Sequence, residues 1–530
     1  MPTVTERSRP HSAPRVERLL GNMLANFGGQ AWSVVLSLVA IPVYIRLLGI
    51  ESFGLIGICL TAQGLVRILD LGLTPAVNRQ FARYGAHPEK AAELGDFART
   101  FEVIFGLAGL AVTGLALAAA PLAARYWLTA RSLDGSTIQT CLLLVAVLCG
   151  LQWPIRFYQG ALMGLERQVI YNSLKAVEAA VHYGGAIAIL TLGSPRIEAL
   201  FLWQIFVGLL FLVALRVAFR GRLPRGDRPP RFRFSLFRSV WRFAAGMAGI
   251  SITALMLTHV DKLLLSKLVT LEQFGYYTLV IHVSGGVAAL MVTPVFNALF
   301  PRFSSLVATG QTDALRELYH LANQIVAVTV IPATLTIAVF SETLLRVWTG
   351  NVDATRNAAP ILSVFILGTC LNGLMNPPYA LQLSSGWTRL GVSINLFLVA
   401  LFVPAVLVFV PAHGPMACAT IWTALMAVYL GLGLPLTHRR ILRGEALRCW
   451  SRDFAPATIA SLTVLAASSC ITPPVSRLGQ LVMLAAVGLA TLAVSAAATP
   501  RVRRLIVGAL ARMGSRGSTA AETDVTGGGD

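Results

Sequence analysis

Residues 26–60, NFGGQAWSVVLSLVAIPVYIRLLGIESFGLIGICL, contain two apolar runs separated by a short turn. Only two side chains in this stretch are charged, Arg46 and Glu51, and both lie at the turn. The hydrocarbon core of a bilayer is about 30 Å thick, so a helix needs about 20 apolar residues to cross it. The stretch therefore predicts two successive membrane-spanning helices.

The composition of the whole chain agrees with this prediction. Of 530 residues, 55% are hydrophobic and 13% are charged, and the mean hydropathy is +0.69. A soluble chain is about 25% charged, so an ordinary cytosolic enzyme, a disordered protein and a coiled coil are excluded. The apolar runs are long enough for helices rather than barrel strands. The predicted fold class is an all-α polytopic membrane protein.

Fourteen segments have the length and apolarity of membrane spans. They are 22–47, 53–82, 98–122, 138–163, 169–193, 197–217, 240–265, 272–301, 318–341, 357–383, 390–411, 414–436, 454–473 and 479–498. The net charge of +19 is concentrated in alternate loops, above all 216–242 and 437–453. Because basic loops stay on the cytoplasmic side, both termini are predicted to be cytoplasmic, and the charge does not indicate nucleic-acid binding.

The chain repeats itself. TPAVNRQFAR at 74–83 matches TPVFNALFPR at 293–302, and LLGIESFGL at 47–55 resembles LVTLEQFGY at 268–276. Spans 1–6 and 7–12 are therefore predicted to be two copies of a six-helix lobe in the same orientation, an organisation typical of alternating-access transporters. The predicted parts are a cytoplasmic tail 1–21, a first lobe 22–219, a basic linker 220–239, a second lobe 240–436, a basic loop 437–453, helices 13 and 14 in 454–498, and a disordered tail 499–530.

Polar side chains form stripes on three predicted spans of the first lobe. The stripes consist of Arg67, Asp70, Thr74 and Asn78, then Gln152, Arg156 and Gln159, then Asn172, Lys175, Glu178 and His182. Their spacing places each stripe on one helix face. A charge at the centre of a bilayer costs several kcal/mol, so such faces border water or one another rather than lipid. The stripes predict a polar cavity in the first lobe.

The charges on these stripes indicate an anionic substrate. Three cations, Arg67, Arg156 and Lys175, exceed two acids, Asp70 and Glu178. A guanidinium matches the geometry of phosphate oxygens. No acid lies within one turn of Arg156 on its own helix, which makes it the leading candidate for ligand contact. Arg67 with Asp70, and Lys175 with Glu178, could instead neutralise each other along their helices.

The second lobe is less charged. Gly286 and Ala289 occupy the positions equivalent to Arg67 and Asp70, whereas Asn297 repeats Asn78. We include Asn297 among the predicted cavity residues. No Walker A loop and no metal-spaced His/Cys cluster occurs in the sequence, and the seven cysteines, six of them in apolar stretches, are predicted to be small buried residues rather than metal ligands or disulfides. No metal and no cofactor are predicted.

Several motifs in order resemble the polysaccharide-export branch of the multidrug/oligosaccharidyl-lipid/polysaccharide exporter superfamily. They are the early Asn26, the Pro42 late in span 1, LLGIESFG at 47–54, LDLGL at 69–73, and their counterparts in the second half. The resemblance covers nearly the whole chain. It implies a transporter of the O-antigen flippase type, not an enzyme, in the bacterial cytoplasmic membrane. Such proteins move polyprenyl-diphosphate-linked oligosaccharides to the outer leaflet during cell-surface polysaccharide biosynthesis.

The resemblance also implies roles for the stripes. Arg67, Arg156 and Lys175 would contact the diphosphate. The glycan would contact Gln152, Gln159, Asn78 and Asn297. Asp70, Glu178 and His182 are candidates for coupling to a proton or sodium gradient, although His182 could be a packing histidine. The implied partners are the lipid-linked oligosaccharide, membrane lipids, and a complex with a glycan polymerase or glycosyltransferase. The alternatives are a multidrug antiporter, a peptidoglycan-precursor flippase, and a membrane enzyme or non-transporting assembly partner.

Overall fold

The computed structural model describes residues 13–70, 72–85, 90–224, 226–238, 240, 259–470 and 474–508. Helices account for all the regular secondary structure in these ranges, and none of these residues is in a strand. The chain forms two compact units, Met1–Gly275 and Tyr276–Asp530.

The first unit contains six long or medium helices and the described part of a seventh. They are α1 (Ala13–Leu69), α2 (Leu73–Gly85), α3 (Ala91–Tyr126), α4 (Gly135–Gly164), α5 (Gln168–Leu192), α6 (Ile197–Arg220) and α7 (259–268). Residues 234–238 are also helical. Helix α8 (Leu271–Val287) begins in this unit and continues into the second.

The second unit continues from α8 through a π-helical turn at Ala288–Val292. The helices that follow are α9 (Thr293–Ala308), α10 (Thr312–Val339), α11 (Ser341–Thr349), α12 (Val352–Leu374), α13 (Asn376–Ser384), α14 (Thr388–His413), α15 (Pro415–Arg440) and α16 (Ala446–Arg448). A second π-helical segment, Cys449–Phe454, leads into α17 (Ala455–Ser468). The next helix is α18 (Arg477–Ala498).

Ten helical segments of the described chain are long and apolar enough to cross a membrane. The predicted all-α polytopic membrane fold is therefore confirmed, while the number of fourteen spans stays a prediction. Most of the span predicted at 240–265 lies outside the described residues, as do residues 1–12 of the N-terminal tail and 509–530 of the C-terminal tail. Helix α1 bends at Gly49, where φ is +82°, between the first two predicted spans.

The second predicted span, 53–82, is not one continuous helix. It is interrupted at Asp70–Gly72, where the Thr74 N–H donates to both carboxylate oxygens of Asp70 at 3.2 Å and Gly72 has a φ of +78°. A short acceptor side chain and a glycine are the residues that a helix start of this kind requires. In the second copy of the repeat, Ala289 is the residue equivalent to Asp70, and it lies in the π-helical turn. Both copies thus depart from a regular α-helix at the same position, just before Pro75 and Pro294.

The repeat is visible as a reciprocal contact inside the first unit. A Cβ added to Gly54 would lie 2.2 Å from the carbonyl oxygen of Leu271, and a Cβ added to Gly275 would lie 2.3 Å from that of Ile50. Ile50 and Gly54 are the repeat equivalents of Leu271 and Gly275. Each glycine therefore allows one backbone to approach the other, and the two contacts are related by the internal repeat.

A loop after α3 ties α7 and the start of α8 to this region. The Glu51 carboxylate accepts hydrogen bonds from the N–H groups of Arg131 and Ser132, and the Leu271 N–H donates to the Thr129 carbonyl at 2.9 Å. The Trp127 indole donates to Ser266. These contacts lie within the first compact unit, which extends to Gly275.

Aromatic packing joins α2, α3, α4 and α6 of the first unit. Phe81 of α2 packs edge-on against Phe97 of α3, Phe157 of α4 and Phe219 of α6. All four rings are fully buried. Edge-to-face pairs contribute about 0.5–1.5 kcal/mol beyond their buried area, so Phe81 couples α2, which follows the helix break, to the rest of the unit.

In the second unit, α17 and α18 pack against α10. Leu465, Met483 and Val487 form an apolar cluster with Phe340, the residue after α10. The Ser461 and Ser495 hydroxyls are hydrogen-bonded at 2.9 Å between α17 and α18. Beyond α18, residues 500–508 are helical, so this part of the predicted disordered tail is ordered.

Candidate functional site

The first unit encloses a polar cavity of about 300 Å³ between α1, α4, α5 and α6. The charged and polar side chains that line it are Ser33, Gln63, Arg67, Gln152, Lys175, Glu178, His182, Tyr183 and Gln204. Five of the residues predicted from the stripes are therefore brought together: Arg67, Gln152, Lys175, Glu178 and His182. The helices supply one polar face each, as the spacing along the chain indicated.

Lys175 and Glu178 form an ion pair on α5. The ammonium lies 2.6 Å from Glu178 Oε2, and it also lies 5.3 Å from the centre of the Phe211 ring on α6. The Lys175 side chain is 44% exposed and that of Glu178 is 15% exposed. The ammonium has three donors and Glu178 accepts one of them, so it can still bind an oxygen of a ligand in the cavity.

Amide side chains cross the cavity between α1 and α4. Gln152 Nε2 donates to Gln63 Oε1 at 3.3 Å, and Gln63 Nε2 donates to Cys59 Sγ at 3.1 Å. Gln63 precedes Arg67 by one helical turn, so the stripe on α1 begins earlier than we predicted. Gln204 of α6 is a further polar lining residue that the sequence analysis did not select. Extending each stripe by one turn would have found Gln63.

The cavity carries more positive than negative charge. Arg67 and Lys175 contribute two cations, and Glu178 is the single acid among the described lining residues. The walls also contain apolar residues such as Leu148, Leu151 and Ile155. A cationic pocket with apolar walls strengthens electrostatic attraction, because charges interact more strongly where water is sparse. The arrangement suits an anionic group.

Arg156 and Asp70 lie apart from these lining residues and contact each other. Arg156 Nη1 of α4 is 3.6 Å from Asp70 Oδ2 at the break between α1 and α2, and the side chains are 20% and 6% exposed. Arg156, predicted to lack an acid on its own helix, thus has one from another helix. The sequence suggested a pair between Arg67 and Asp70 along one helix. In the structure Asp70 instead pairs with Arg156, which lies on another helix.

The remaining predicted residues occupy other places. Asn78 on α2 and Gln159 on α4 are partly buried and do not line the cavity, and Asn297 is exposed on α9 of the second unit. A separate cavity of about 720 Å³ lies near the basic linker, lined in part by Arg99, Glu102, Arg220 and Arg228. It contains none of the residues predicted from the stripes.

The two units of long apolar helices, with a polar cavity in the first, define a polytopic membrane transporter. The chain belongs to the Polysaccharide biosynthesis protein family, whose sequence profile matches residues 43–352. A protein of Shigella flexneri named "Putative O-antigen transporter" is 21% identical over 413 residues, covering 76% of this chain and 94% of that protein.

Solved structures share the fold. "Lipid II flippase MurJ, inward closed conformation" superposes with a TM-score of 0.68 at 12% identity, covering 92% of this chain and all of that one. An inward-facing multidrug resistance MATE family transporter of the MOP superfamily superposes with a TM-score of 0.59 at 13% identity, covering 81% of this chain and 96% of that one. These findings confirm the superfamily resemblance and the classification as a transporter rather than an enzyme.

Proposed function

We propose that this protein flips a polyprenyl-diphosphate-linked oligosaccharide across the bacterial cytoplasmic membrane for cell-surface polysaccharide biosynthesis. The cavity of the first unit carries the proposal, because Arg67 and Lys175 face it against a single acid, Glu178. A diphosphate has the charge and oxygen geometry that such cations bind. The family and the name of the Shigella flexneri relative support a substrate from polysaccharide biosynthesis.

The cavity also suits the glycan that follows the diphosphate. Gln63, Gln152 and Gln204 line it, and each side-chain amide offers both donors and acceptors to sugar hydroxyls. A cavity of about 300 Å³ holds the charged linkage and the first sugars, while the polyprenyl chain stays in the bilayer. In this proposal Arg156 positions the helix break through Asp70 rather than binding the substrate directly.

Transport against a concentration difference needs an energy source, and we propose a proton or sodium gradient. Glu178 is the best placed coupling group, because it lines the cavity and is paired with Lys175. Neutralising Glu178 frees the Lys175 ammonium for the diphosphate, which links occupancy by a cation to substrate binding. His182 lies one turn further along α5 and also lines the cavity. Asp70 is the weaker candidate, since it accepts the Thr74 N–H and pairs with Arg156.

A translocation assay with purified protein in proteoliposomes tests this function. Three fluorescent substrates are compared under an imposed proton or sodium gradient: a polyprenyl-diphosphate oligosaccharide, a peptidoglycan precursor and a lipophilic cation. We expect gradient-dependent flipping of the first. Transport of the lipophilic cation alone would indicate a multidrug antiporter. Preference for the peptidoglycan precursor would indicate a peptidoglycan-precursor flippase. No flipping of the oligosaccharide by correctly inserted protein would contradict the proposal.

The cellular setting follows from the same proposal. We propose that the arginine-rich loops and both termini lie on the cytoplasmic side, because basic loops are retained there. A flippase that delivers lipid-linked units must act between the glycosyltransferases that build them and the polymerase that joins them. We therefore propose a complex with one of these enzymes, which affinity purification of the membrane-embedded protein from cells would detect.

A further inference from the structure

A cluster of metal-ligating side chain types lies in the second unit. His320 of α10, Cys449 and Asp453 bring one donor atom each to within 4.8 Å of one another. His320 Nδ1 is 2.6 Å from Asp453 Oδ2 and 4.0 Å from Cys449 Sγ. All three side chains are fully buried. Among the described residues this is the one group of three or more His, Cys, Asp or Glu side chains that converges in this way.

A second histidine reaches the same sulfur atom. His438 Nε2 of α15 is 3.7 Å from Cys449 Sγ, and His438 Nδ1 is 2.8 Å from the carbonyl oxygen of Leu434. A carbonyl can only accept, so Nδ1 carries the proton and Nε2 presents its lone pair to the cluster. Holding one ring nitrogen by a backbone carbonyl is a common way to orient a metal-binding histidine.

The outer contacts also fit a metal site. Glu445 Oε2 is 3.2 Å from His320 Nε2, and Gln324 donates to Asp453 Oδ1 at 2.8 Å. The Asn323 amide donates to Cys449 Sγ at 3.6 Å. Each inner donor is thus oriented by a second group, as carboxylates and amides orient the ligands of metal ions.

Arginines balance the outer carboxylate. Arg316 Nε is 3.0 Å from Glu445 Oε1, and Arg448 Nη1 is 3.1 Å from Glu445 Oε2. The negative charge of Glu445 is therefore already paired. Asp453, whose Oδ1 also lies 4.0 Å from Arg501 Nη1, and a Cys449 thiolate supply two negative charges for a divalent ion. Two negative charges and two neutral imidazoles around a divalent cation give a net charge of zero, which favours burial.

We propose that His320, His438, Cys449 and Asp453 form a structural zinc site. Two imidazoles, a thiolate and a carboxylate are ligands that Zn²⁺ accepts in tetrahedral geometry, whereas Mg²⁺ and Ca²⁺ prefer oxygen ligands. Four protein ligands leave no open position, which is typical of structural sites. Bond lengths of about 2.0–2.3 Å put tetrahedral donors about 3.3–3.6 Å apart, so the ion replaces the proton between His320 and Asp453. The His438 ring, which reaches Cys449 Sγ at 3.7 Å, moves toward the other donors when the ion binds.

Zinc at this position would connect parts of the second unit that are distant in sequence. His320 belongs to α10, His438 to the end of α15, and Cys449 and Asp453 to the π-helical segment before α17. The ion would fasten the last pair of helices, α17 and α18, to the bundle that precedes them. Its binding displaces the proton of the Cys449 thiol, because a thiol that coordinates a metal ion is deprotonated.

Metal analysis of the purified full-length protein tests this site. We expect about one zinc per chain after exposure to Zn²⁺ and removal of excess, and a rise in melting temperature that a chelator reverses. Cys449→Ser should lose the zinc, whereas Cys370→Ser, at another buried cysteine of the same unit, should retain it. Substitution with Co²⁺ should give a thiolate-to-cobalt charge-transfer band that Cys449→Ser abolishes.

Three results would contradict the proposed zinc site. Wild-type protein that binds no zinc after chelator removal and reloading, and shows no cobalt–thiolate band, would leave a buried hydrogen-bond network only. Equal zinc content in Cys449→Ser and Cys370→Ser would also exclude these ligands. If Cys449→Ser fails to fold, His438→Gln removes one ligand at the edge of the cluster, and retention of full zinc affinity in that variant would contradict the four-ligand arrangement.

Discussion

Arg156 Nη1 lies 3.6 Å from Asp70 Oδ2, and this pair joins α4 to the break between α1 and α2. Asp70 simultaneously accepts the Thr74 N–H that begins α2. One carboxylate therefore starts a helix and anchors a buried arginine. The equivalent residue in the second unit is Ala289, which is uncharged and lies in a π-helical turn. The first copy breaks its helix at this position, whereas the second continues through a π-helical turn.

Removing one partner of this pair should be more harmful than removing both. Arg156→Met or Asp70→Asn alone leaves the other side chain without its partner in a largely buried site, at a cost of about 3 kcal/mol. The double variant should recover part of that loss. Melting temperatures of the four proteins in detergent, taken as a double-mutant cycle, measure the coupling. Strictly additive effects would show that the pair makes no contribution of its own.

Glu178→Gln should uncouple transport from the ion gradient. Glutamine keeps the size and the acceptor oxygen of the side chain but cannot gain or lose a proton or charge. Flipping should continue at a low rate and become insensitive to imposed proton and sodium gradients. Glu198→Gln, at the start of α6 and outside the cavity lining, is the matched control. A Glu178→Gln protein that responds to the gradient like wild type would rule out this residue as the coupling group.

Gly54→Ala should destabilise the protein strongly. The added Cβ would lie 2.2 Å from the Leu271 carbonyl oxygen, a backbone atom that cannot rotate away. Overpacking of this kind costs about 1–3 kcal/mol or more. Gly106→Ala in α3 is the control, because no atom lies within 4 Å of its added Cβ and alanine favours a helix by about 1 kcal/mol over glycine. The expected order of melting temperatures is Gly106→Ala at or above wild type and Gly54→Ala below it; the reverse order would refute the close contact.

Asp96→Asn should release the basic linker from α3. The Asp96 carboxylate is 1% exposed, contacts Arg228 at 2.6 Å and Arg233 at 2.9 Å, and accepts the Arg231 N–H at 2.8 Å. The amide cannot pair with both arginines, so trypsin should cut the linker several-fold faster. Limited proteolysis of inside-out vesicles measures this rate, with the exposed Asp227→Asn as control. Equal cleavage of the two variants would mean that Asp96 does not hold the linker.

The sequence was most informative where periodicity and burial act together. It predicted the membrane fold and the repeat, and it selected five lining residues of the cavity, because one polar face on an apolar helix must avoid lipid. Spacing along one helix cannot reveal partners on another, so the Arg156–Asp70 pair was missed. The same reason hid the cluster of His320, Cys449 and Asp453, because His320 is 129 residues from Cys449 and 133 from Asp453 and lies on another helix.

Helix interruptions also limited the prediction of cavity residues from the sequence. The stripe of Arg67, Asp70, Thr74 and Asn78 assumed one regular helix, but the break at Asp70–Gly72 changes the rotation of everything after it. Arg67 therefore lines the cavity and Asn78 does not. The sequence DLGLTP at 70–75, with a glycine two residues after the aspartate and Thr-Pro beginning two residues after the glycine, is the local signal that predicts such a break.

The central claim, that the cations of the first-unit cavity bind a diphosphate, is tested most directly by binding. Affinity of the purified protein is measured for a polyprenyl-diphosphate oligosaccharide and for its monophosphate analogue, in wild type, in Arg67→Gln with Lys175→Gln, and in the exposed control Arg196→Gln. A charged hydrogen bond contributes about 1.5–3 kcal/mol, so wild type and control should prefer the diphosphate about tenfold or more, and the double variant should lose that preference. Equal affinity of wild type for the two lipids, or an unchanged preference in the double variant, would contradict the account.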